Sequence, residues 1–145
     1  MFCLLKLLRP LRTCPVYIST RLLHRSCRAL KQGRHNVMPN LTFYLSENHA
    51  DKFQNLDALT NRCSALCCDI LGAERKNVHI IFINVKPGCG QPVYAELFFR
   101  LTPLRSPEVM ENFMREVDLA TQQASGLTAR IRCFGSPAEH LFARN

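Results

Sequence analysis

The residues whose types and spacing could do chemistry lie at the two ends of one segment of this chain. Met38-Pro39 directly precedes the strand-like run Asn40-Leu41-Thr42-Phe43-Tyr44-Leu45, so it reads as a translation start set 37 residues into the sequence. Proline is tolerated at the first residue of a strand, which gives Pro39 a purely structural reading. Exposed by initiation or cleavage, its nitrogen would be a secondary amine. Desolvation and nearby cations disfavour the protonated form of such an amine, and it can then take a proton from a substrate. Inside a chain the same nitrogen is an amide with no usable basicity. Near the other end, Arg130 and Arg132 are two apart on a strand-like run with Phe134. All three project to one face, with Ile131 and Cys133 opposite. Adjacent guanidiniums repel, and a carboxylated ligand would relieve that by bidentate pairing. The alternative is charge that protects an exposed edge strand, or pairing with Glu96 and Glu139.

The elements that must position these residues follow from periodicity. A first strand covers about residues 40–45, and Ser46-Glu47-Asn48-His49 reads as a loop. Phe53, Leu56, Leu59, Cys63, Leu66, Cys67 and Ile70 recur at helical steps, and Gly72 provides a left-handed stop. Residues 77–85 are rich in β-branched and aromatic side chains, apolar on both faces, and are expected at the centre of a sheet. Residues 93–101 form a third strand with Glu96 and Arg100 on one face. Ser106-Pro107-Glu108 starts a second helix with Met110, Phe113, Met114 and Val117 on its apolar side, ended by Gly126. A last strand covers residues 127–134, and the tail carries Leu141-Phe142. The class is α+β, β-α-β-β-α-β, in two similar halves. That order fits a ferredoxin-like sandwich as well as a tautomerase-type subunit.

Charge divides the chain at the same place. Residues 1–37 hold Lys6, Arg9, Arg12, Arg21, Arg25, Arg28, Lys31 and Arg34 and no acid, while all 11 acidic residues follow Pro39. The net +8 therefore belongs to the leader, and the body from residue 38 to 145 is balanced. Three readings of the leader stand: a mitochondrial transit peptide, upstream sequence joined ahead of the true start, or a solvated functional arm. Its apolar beginning is too short and interrupted to span a bilayer. A neutral body without an aromatic and basic stripe points away from nucleic acid, and no membrane partner is expected. The expected compartment is the cytoplasm, or the mitochondrion if the leader is a transit peptide.

Cys63, Cys67, Cys68, Cys89 and Cys133 contain no Cys-x-x-Cys pair and are odd in number, so reduced thiols are expected rather than a zinc site or a disulfide framework. No phosphate loop, metal cluster or Ser-His-Asp order competes with the proline. A body of about a hundred residues supports one modest core, which association would stabilise.

From Pro39 to Asn145 the chain resembles the tautomerase superfamily, especially its longer members related to macrophage migration inhibitory factor and 5-carboxymethyl-2-hydroxymuconate isomerase. The resemblance is carried by Met38-Pro39 heading the first strand, Gly72 closing the first helix, Val78-His79 in an apolar second strand, and the tail at Leu141-Phe142. It implies a trimer in which removal of the initiator methionine frees Pro39 as the catalytic base, with no cofactor or metal. Arg130 and Arg132 fall near the final-strand tyrosine and asparagine of migration inhibitory factor. Arg75 or Lys76 falls near the lysine before its second strand. These residues, with Phe134 and Phe142 as apolar walls, would bind a small carboxylated substrate, a 2-hydroxy-dienoate or 2-oxo acid. His49 and His79 stand where 4-oxalocrotonate tautomerase has arginines, and are read as a solvated loop residue and a core hydrogen-bonding residue. A non-catalytic ferredoxin-like or tautomerase-shaped binding module is the rival expectation.

Overall fold

The computed structural model describes residues 38–142, and the expectations for residues 1–37 lie outside the described residues. Four strands make one sheet: β1 Asn40–Ser46, β2 His79–Val85, β3 Val93–Arg100 and β4 Ala129–Ser136. Two helices, α1 Leu56–Asp69 and α2 Pro107–Ser125, supply the crossovers. The strand order is β2-β1-β3-β4. Within each half the strands run parallel, β1 with β2 and β3 with β4, and the halves join through the antiparallel β1–β3 pair. The expected α+β order and its repetition are therefore present.

Alternation along the strands decides which side faces the helices. Leu41 and Phe43 on β1 and Val93, Ala95 and Leu97 on β3 are completely buried. They pack with Leu59, Cys63, Leu66 and Cys67 of α1 and Met110, Phe113, Val117 and Ala120 of α2. Local chemistry sets the helix ends. Asn55 accepts a hydrogen bond from the Ala58 N–H at 2.9 Å, and Ser106 accepts one from Val109 with Pro107 at the first helical position. At the far end of α2, Gly126 has φ of 71° and donates to the Gln122 carbonyl, a conformation that favours glycine. Asp118 on α2 accepts from the Ala129 N–H at 2.7 Å and ties the helix to the strand that follows it.

Two expectations are corrected. Residues Glu47–Lys52 form a short 3₁₀ segment rather than an open loop, and α1 begins at Leu56, so the buried Phe53 lies outside it. More consequentially, β2 is an edge strand, not a central one. Its Ile80 and Phe82 pack on the core, whereas Ile81 and Ile83 stand on the uncovered side at 47% and 39% exposure. Two apolar faces identify a strand that is covered twice, but a second layer can come from outside the subunit.

Candidate active site

The register brings four element ends together around Pro39. The Pro39 carbonyl accepts a hydrogen bond from the His79 N–H at 3.1 Å, which anchors it to the start of β2. Asn40 pairs with Phe98, so carrying the antiparallel register outward sets Pro39 opposite Phe99 and Met38 opposite Arg100. On the other flank of β3, Phe98 pairs with Phe134 and Arg100 with Ser136. The beginnings of β1 and β2 and the ends of β3 and β4 thus share one end of the sheet. The Pro39 ring is fully buried, on the helix side with Leu41 and Phe43. That is an apolar setting, which would weaken the basicity of a free amine there.

Several expected site residues are at this end. Arg75 and Lys76 lie in the short 3₁₀ turn Arg75–Asn77 just before β2. Both are exposed and engaged: the Arg75 guanidinium donates to Asn61 at 3.1 Å, and Lys76 pairs with Glu74 at 3.1 Å. Phe134 stacks on Phe98 with ring centroids 5.0 Å apart, one rung inward from Pro39 on the open face. Phe142, after the turn Ala138–His140 that follows β4, is 92% exposed.

Arg130 and Arg132 do not join them within the subunit. They share the open face with Phe134, as their spacing implies, but Arg132 is level with Thr42 and Arg130 with Tyr44, two strands from β1. At ~3.4 Å per residue and ~4.8 Å per strand, their backbones are on the order of 14 and 20 Å from Pro39. Neither makes a hydrogen bond or ion pair with a described residue. The suggested partner Glu96 is occupied, since it accepts from the Tyr44 hydroxyl at 2.6 Å and the Tyr94 hydroxyl at 3.2 Å. The hydrogen bond to Glu96, then burial, raises the Tyr44 pKa. Burial and the Glu96 charge raise that of Tyr94 against the lowering effect of Arg132 and Arg130.

The histidine readings are also corrected. His79 is exposed on the open face rather than hydrogen bonded in the core, because its odd number on β2 sets it with Ile81 and Ile83. His49 is half-buried rather than solvated, and its Nδ1 is buried without a partner beyond the far end of β1. Burial pushes the Cys63 and Cys67 thiols up to about 12 and Cys133 up to about 11, which makes them packing residues rather than nucleophiles. Among the described residues, no group of three His, Cys, Asp or Glu side chains is placed to hold a metal, and no helix is long and apolar enough to cross a membrane.

Sequence reasoning put Arg100 on a face but assigned it no role. Its Nε is buried with no hydrogen-bond partner, at the rung facing Met38. Behind it Arg105 is buried, donating to the Leu71 carbonyl through Nε and Nη2 at 3.2 and 3.0 Å and to the Arg100 carbonyl through Nη1 at 3.0 Å. Its guanidinium lies 5.4 Å from the Phe99 ring centroid. The signal that could have found Arg100 was the antiparallel pairing of the first and third strands, which brings the end of one to the start of the other.

No family model matches the chain, and no curated protein matches it in sequence. Solved structures do match it in shape. A fused 4-OT, solved as a wild-type symmetric trimer, has 16% identity and a TM-score of 0.57, covering 72% of this chain and 91% of its own. Malonate semialdehyde decarboxylase, studied in wild-type, inactivated and proline-to-alanine forms for its decarboxylase and hydratase activities, has 16% identity and a TM-score of 0.53, with 72% and 91% covered. Macrophage migration inhibitory factor of Toxoplasma gondii has 9% identity and a TM-score of 0.57, with 72% and 95% covered. The fold is that of the tautomerase superfamily.

Proposed function

We propose that residues 39–145 form a cofactor-free tautomerase, or an isomerase of the same proton-moving kind, acting on a small 2-hydroxy-dienoate or 2-oxo acid. The observation that carries this reading is the position of Pro39: in a tautomerase fold, it heads the strand where four element ends meet, buried on its apolar side and close to the cationic turn before β2. Initiation at Met38 with removal of methionine, or cleavage after it, would free the prolyl nitrogen. As a neutral amine it takes the enol hydroxyl proton. As the resulting ammonium it returns a proton to the substrate carbon, so the amine is regenerated and the substrate changes only the position of hydrogen.

Charge developing on the substrate oxygen needs donors aimed at it. Arg130 and Arg132 lie too far from Pro39 in their own subunit, so they serve a neighbouring subunit of a trimer, with Arg75 and Lys76 at the rim and Phe134 and Phe142 as apolar walls. A trimer also covers the bare Ile81, Ile83 and Phe98. Residues 1–37 are absent from the working protein in this reading, whether as a cleaved transit segment or as sequence upstream of the true start. The binding-module reading is favoured by one fact, the amide state of Pro39 when Met38 is retained.

Intact mass of the protein from its natural source separates the two. Pro39 as first residue is expected, and retention of residues 1–37 in the dominant species would remove the catalytic reading. Enol-to-keto rates compared for the full chain, the chain begun at Pro39 and its Pro39→Ala variant then test the base itself. Activity is expected only with the free proline, and Pro39→Ala, which substitutes a primary amine, is expected to impair carboxylated and uncharged enols alike.

A further inference from the structure

We propose that Gly135 is a positioning residue for the Pro39 site: having no side chain, it lets Leu101 fold over β4 and so keeps bulk off the approach to the prolyl nitrogen. This rests on the proline reading and deepens it, since it adds a residue that sets how broad a substrate a free proline can meet.

Conformation does not account for a glycine here. Gly135 lies in β4 without the positive φ of Gly72, Gly90 and Gly126, so any residue could adopt its backbone. Space does account for it, and a glycine inside a strand often marks the close approach of another group. A Cβ at Gly135 would stand 3.0 Å from Leu101 Cγ and 3.0 Å from Phe99 Cζ, and closer still to Leu101 Cδ2. Leu101 thus fills the volume that any other residue would claim. The rung is that of the proline. Phe99 pairs with Gly135 on one flank, and the register carried outward sets Pro39 on the other. Phe99 and Pro39 are both buried on the helix side, so the three residues make one row across three strands.

Leu101 is the movable member of this group. Its N–H donates to the Ser136 carbonyl at 2.9 Å, which carries the β3–β4 pairing one residue past β3. Its side chain is 48% exposed and belongs to no core cluster, so its seat on Gly135 is what directs it. Phe99 is not movable in this way. The Arg105 guanidinium lies 5.4 Å from its ring centroid and is itself held by the Leu71 and Arg100 carbonyls. A methyl added at position 135 is therefore relieved by the free end of Leu101 and not by the buried wall. Because β3 has β4 on one flank and β1 on the other, a leucine turned off β4 swings to solvent or toward the head of β1. That head is where Met38 stands level with the end of β3, and where its removal leaves the space a substrate must enter. The substrate class admitted by the native arrangement is an enol with bulk, such as a ring, beside the reacting carbon.

Gly135→Ala, Leu101→Ala and the double variant are prepared as the full chain and begun at Pro39, with circular dichroism and thermal melts reporting the fold. The prolyl nitrogen is then acylated with acetyl and benzoyl N-hydroxysuccinimide esters, and the mass of the amino-terminal peptide gives the two rates. The full chain, whose Pro39 nitrogen is an amide, is the blank. Gly135→Ala is expected to slow benzoylation against acetylation by roughly ten-fold or more, while the melting temperature moves by only a few degrees. Adding Leu101→Ala should restore the wild-type ratio, which is the coupling expected of two residues that share one volume. In turnover, Gly135→Ala should lose kcat/KM on phenylpyruvate enol by a similar factor and lose less on the enol of pyruvate, which lacks the ring. In wild type, nuclear Overhauser contacts from the isotopically labelled Leu101 methyls are expected to the Gly135 Hα protons and not to the Pro39 ring, a readout that needs no variant to fold.

A benzoyl-to-acetyl ratio unchanged in Gly135→Ala overturns the proposal, whatever Pro39→Ala does to turnover. So does a ratio that Leu101→Ala fails to restore, or Leu101 methyl contacts that run to Pro39 in wild type. Conversely, turnover that persists in Pro39→Ala, with benzoylation still slowed by Gly135→Ala, removes the base and leaves the positioning role.

Discussion

The two faces of this sheet are built from similar residues and live in different surroundings. On the helix side, Leu41, Phe43, Val93, Ala95 and Leu97 have no exposed area. On the open side, Ile81, Ile83, Phe98 and Phe134 remain 39–47% exposed, beside the tyrosine-bound Glu96 and Arg130 and Arg132, which have no hydrogen-bond or ion-pair partner among the described residues. Among the described residues, two helices cover one face of the four strands and none covers the other. The apolar residues on the second face are surplus to the subunit's own core, which is the distribution expected where another copy completes the layer.

Paired phenylalanines give the sharpest way to break that comparison. Phe113 is completely buried, and Phe113→Ala is expected to destabilise by about 3–5 kcal/mol at any protein concentration. Phe98 is 47% exposed in the subunit, so Phe98→Ala should cost roughly 1 kcal/mol if the subunit stands alone. If copies cover this face, the cost should grow with concentration. Urea denaturation at widely separated concentrations reads both, and a small, concentration-independent Phe98→Ala effect would mean that the open face is open in solution. The same contrast can be drawn by mass. Light scattering is expected to give about three times the subunit mass for the chain begun at Pro39, and about one times after joint Ile81→Asp and Ile83→Asp, with helix content retained. A folded wild-type monomer would refute the trimer.

Much of the helix-covered face was legible in the sequence, because its rules are local. The Ser106-Pro107 start and the Gly72 and Gly126 stops follow from dihedral preference. The open face was less legible, because its meaning depends on register between distant strands. Nothing local tells that Tyr44 and Tyr94 converge on Glu96, or that Arg100 ends level with Met38. The apolar run in β2 was recognised, but its edge position was not, since a run of isoleucines has the same signature under a helix or under a second copy. At the site, the type and spacing of Pro39, Arg130 and Arg132 were readable, whereas their separation within a subunit required the sheet order.

That separation yields the next test. If Arg132 acts across a subunit boundary, Arg132→Ala should weaken capture of a carboxylated enol by about 1.5–3 kcal/mol and spare a phenylpyruvate ester enol. Mixing Arg132→Ala subunits with Pro39→Ala subunits should then restore part of the activity, because mixed trimers contain sites with both an intact proline and an intact arginine. Rates unchanged in Arg130→Ala and Arg132→Ala would assign the pair to the face itself rather than to substrate.

The smallest expected effect concerns the polar island on the open face, and it carries a definite sign. The Tyr44 pKa is raised from 10.0, first by its hydrogen bond to Glu96 and then by burial, and that of Tyr94 is raised by burial and by the Glu96 charge. A group whose proton is held more tightly in the folded state contributes stability that is complete below its unfolded pKa and is lost as pH rises through the folded value. The island should therefore support the fold at neutral pH and cease to do so only above pH 10, where both tyrosines ionise beside a carboxylate. Glu96→Gln removes the negative charge while keeping an acceptor, so tyrosinate absorbance should develop at lower pH than in wild type. The alkaline decline in stability attributable to these tyrosines should shrink with it. Arg130 and Arg132 bear on the outcome because they favour the Tyr94 phenolate, so Arg132→Ala should move that tyrosine the opposite way, to higher pH. If Glu96→Gln leaves both titrations where they were, the two hydroxyls do not converge on Glu96 in solution, and the open face carries no organised polar centre around which a neighbouring copy must fit.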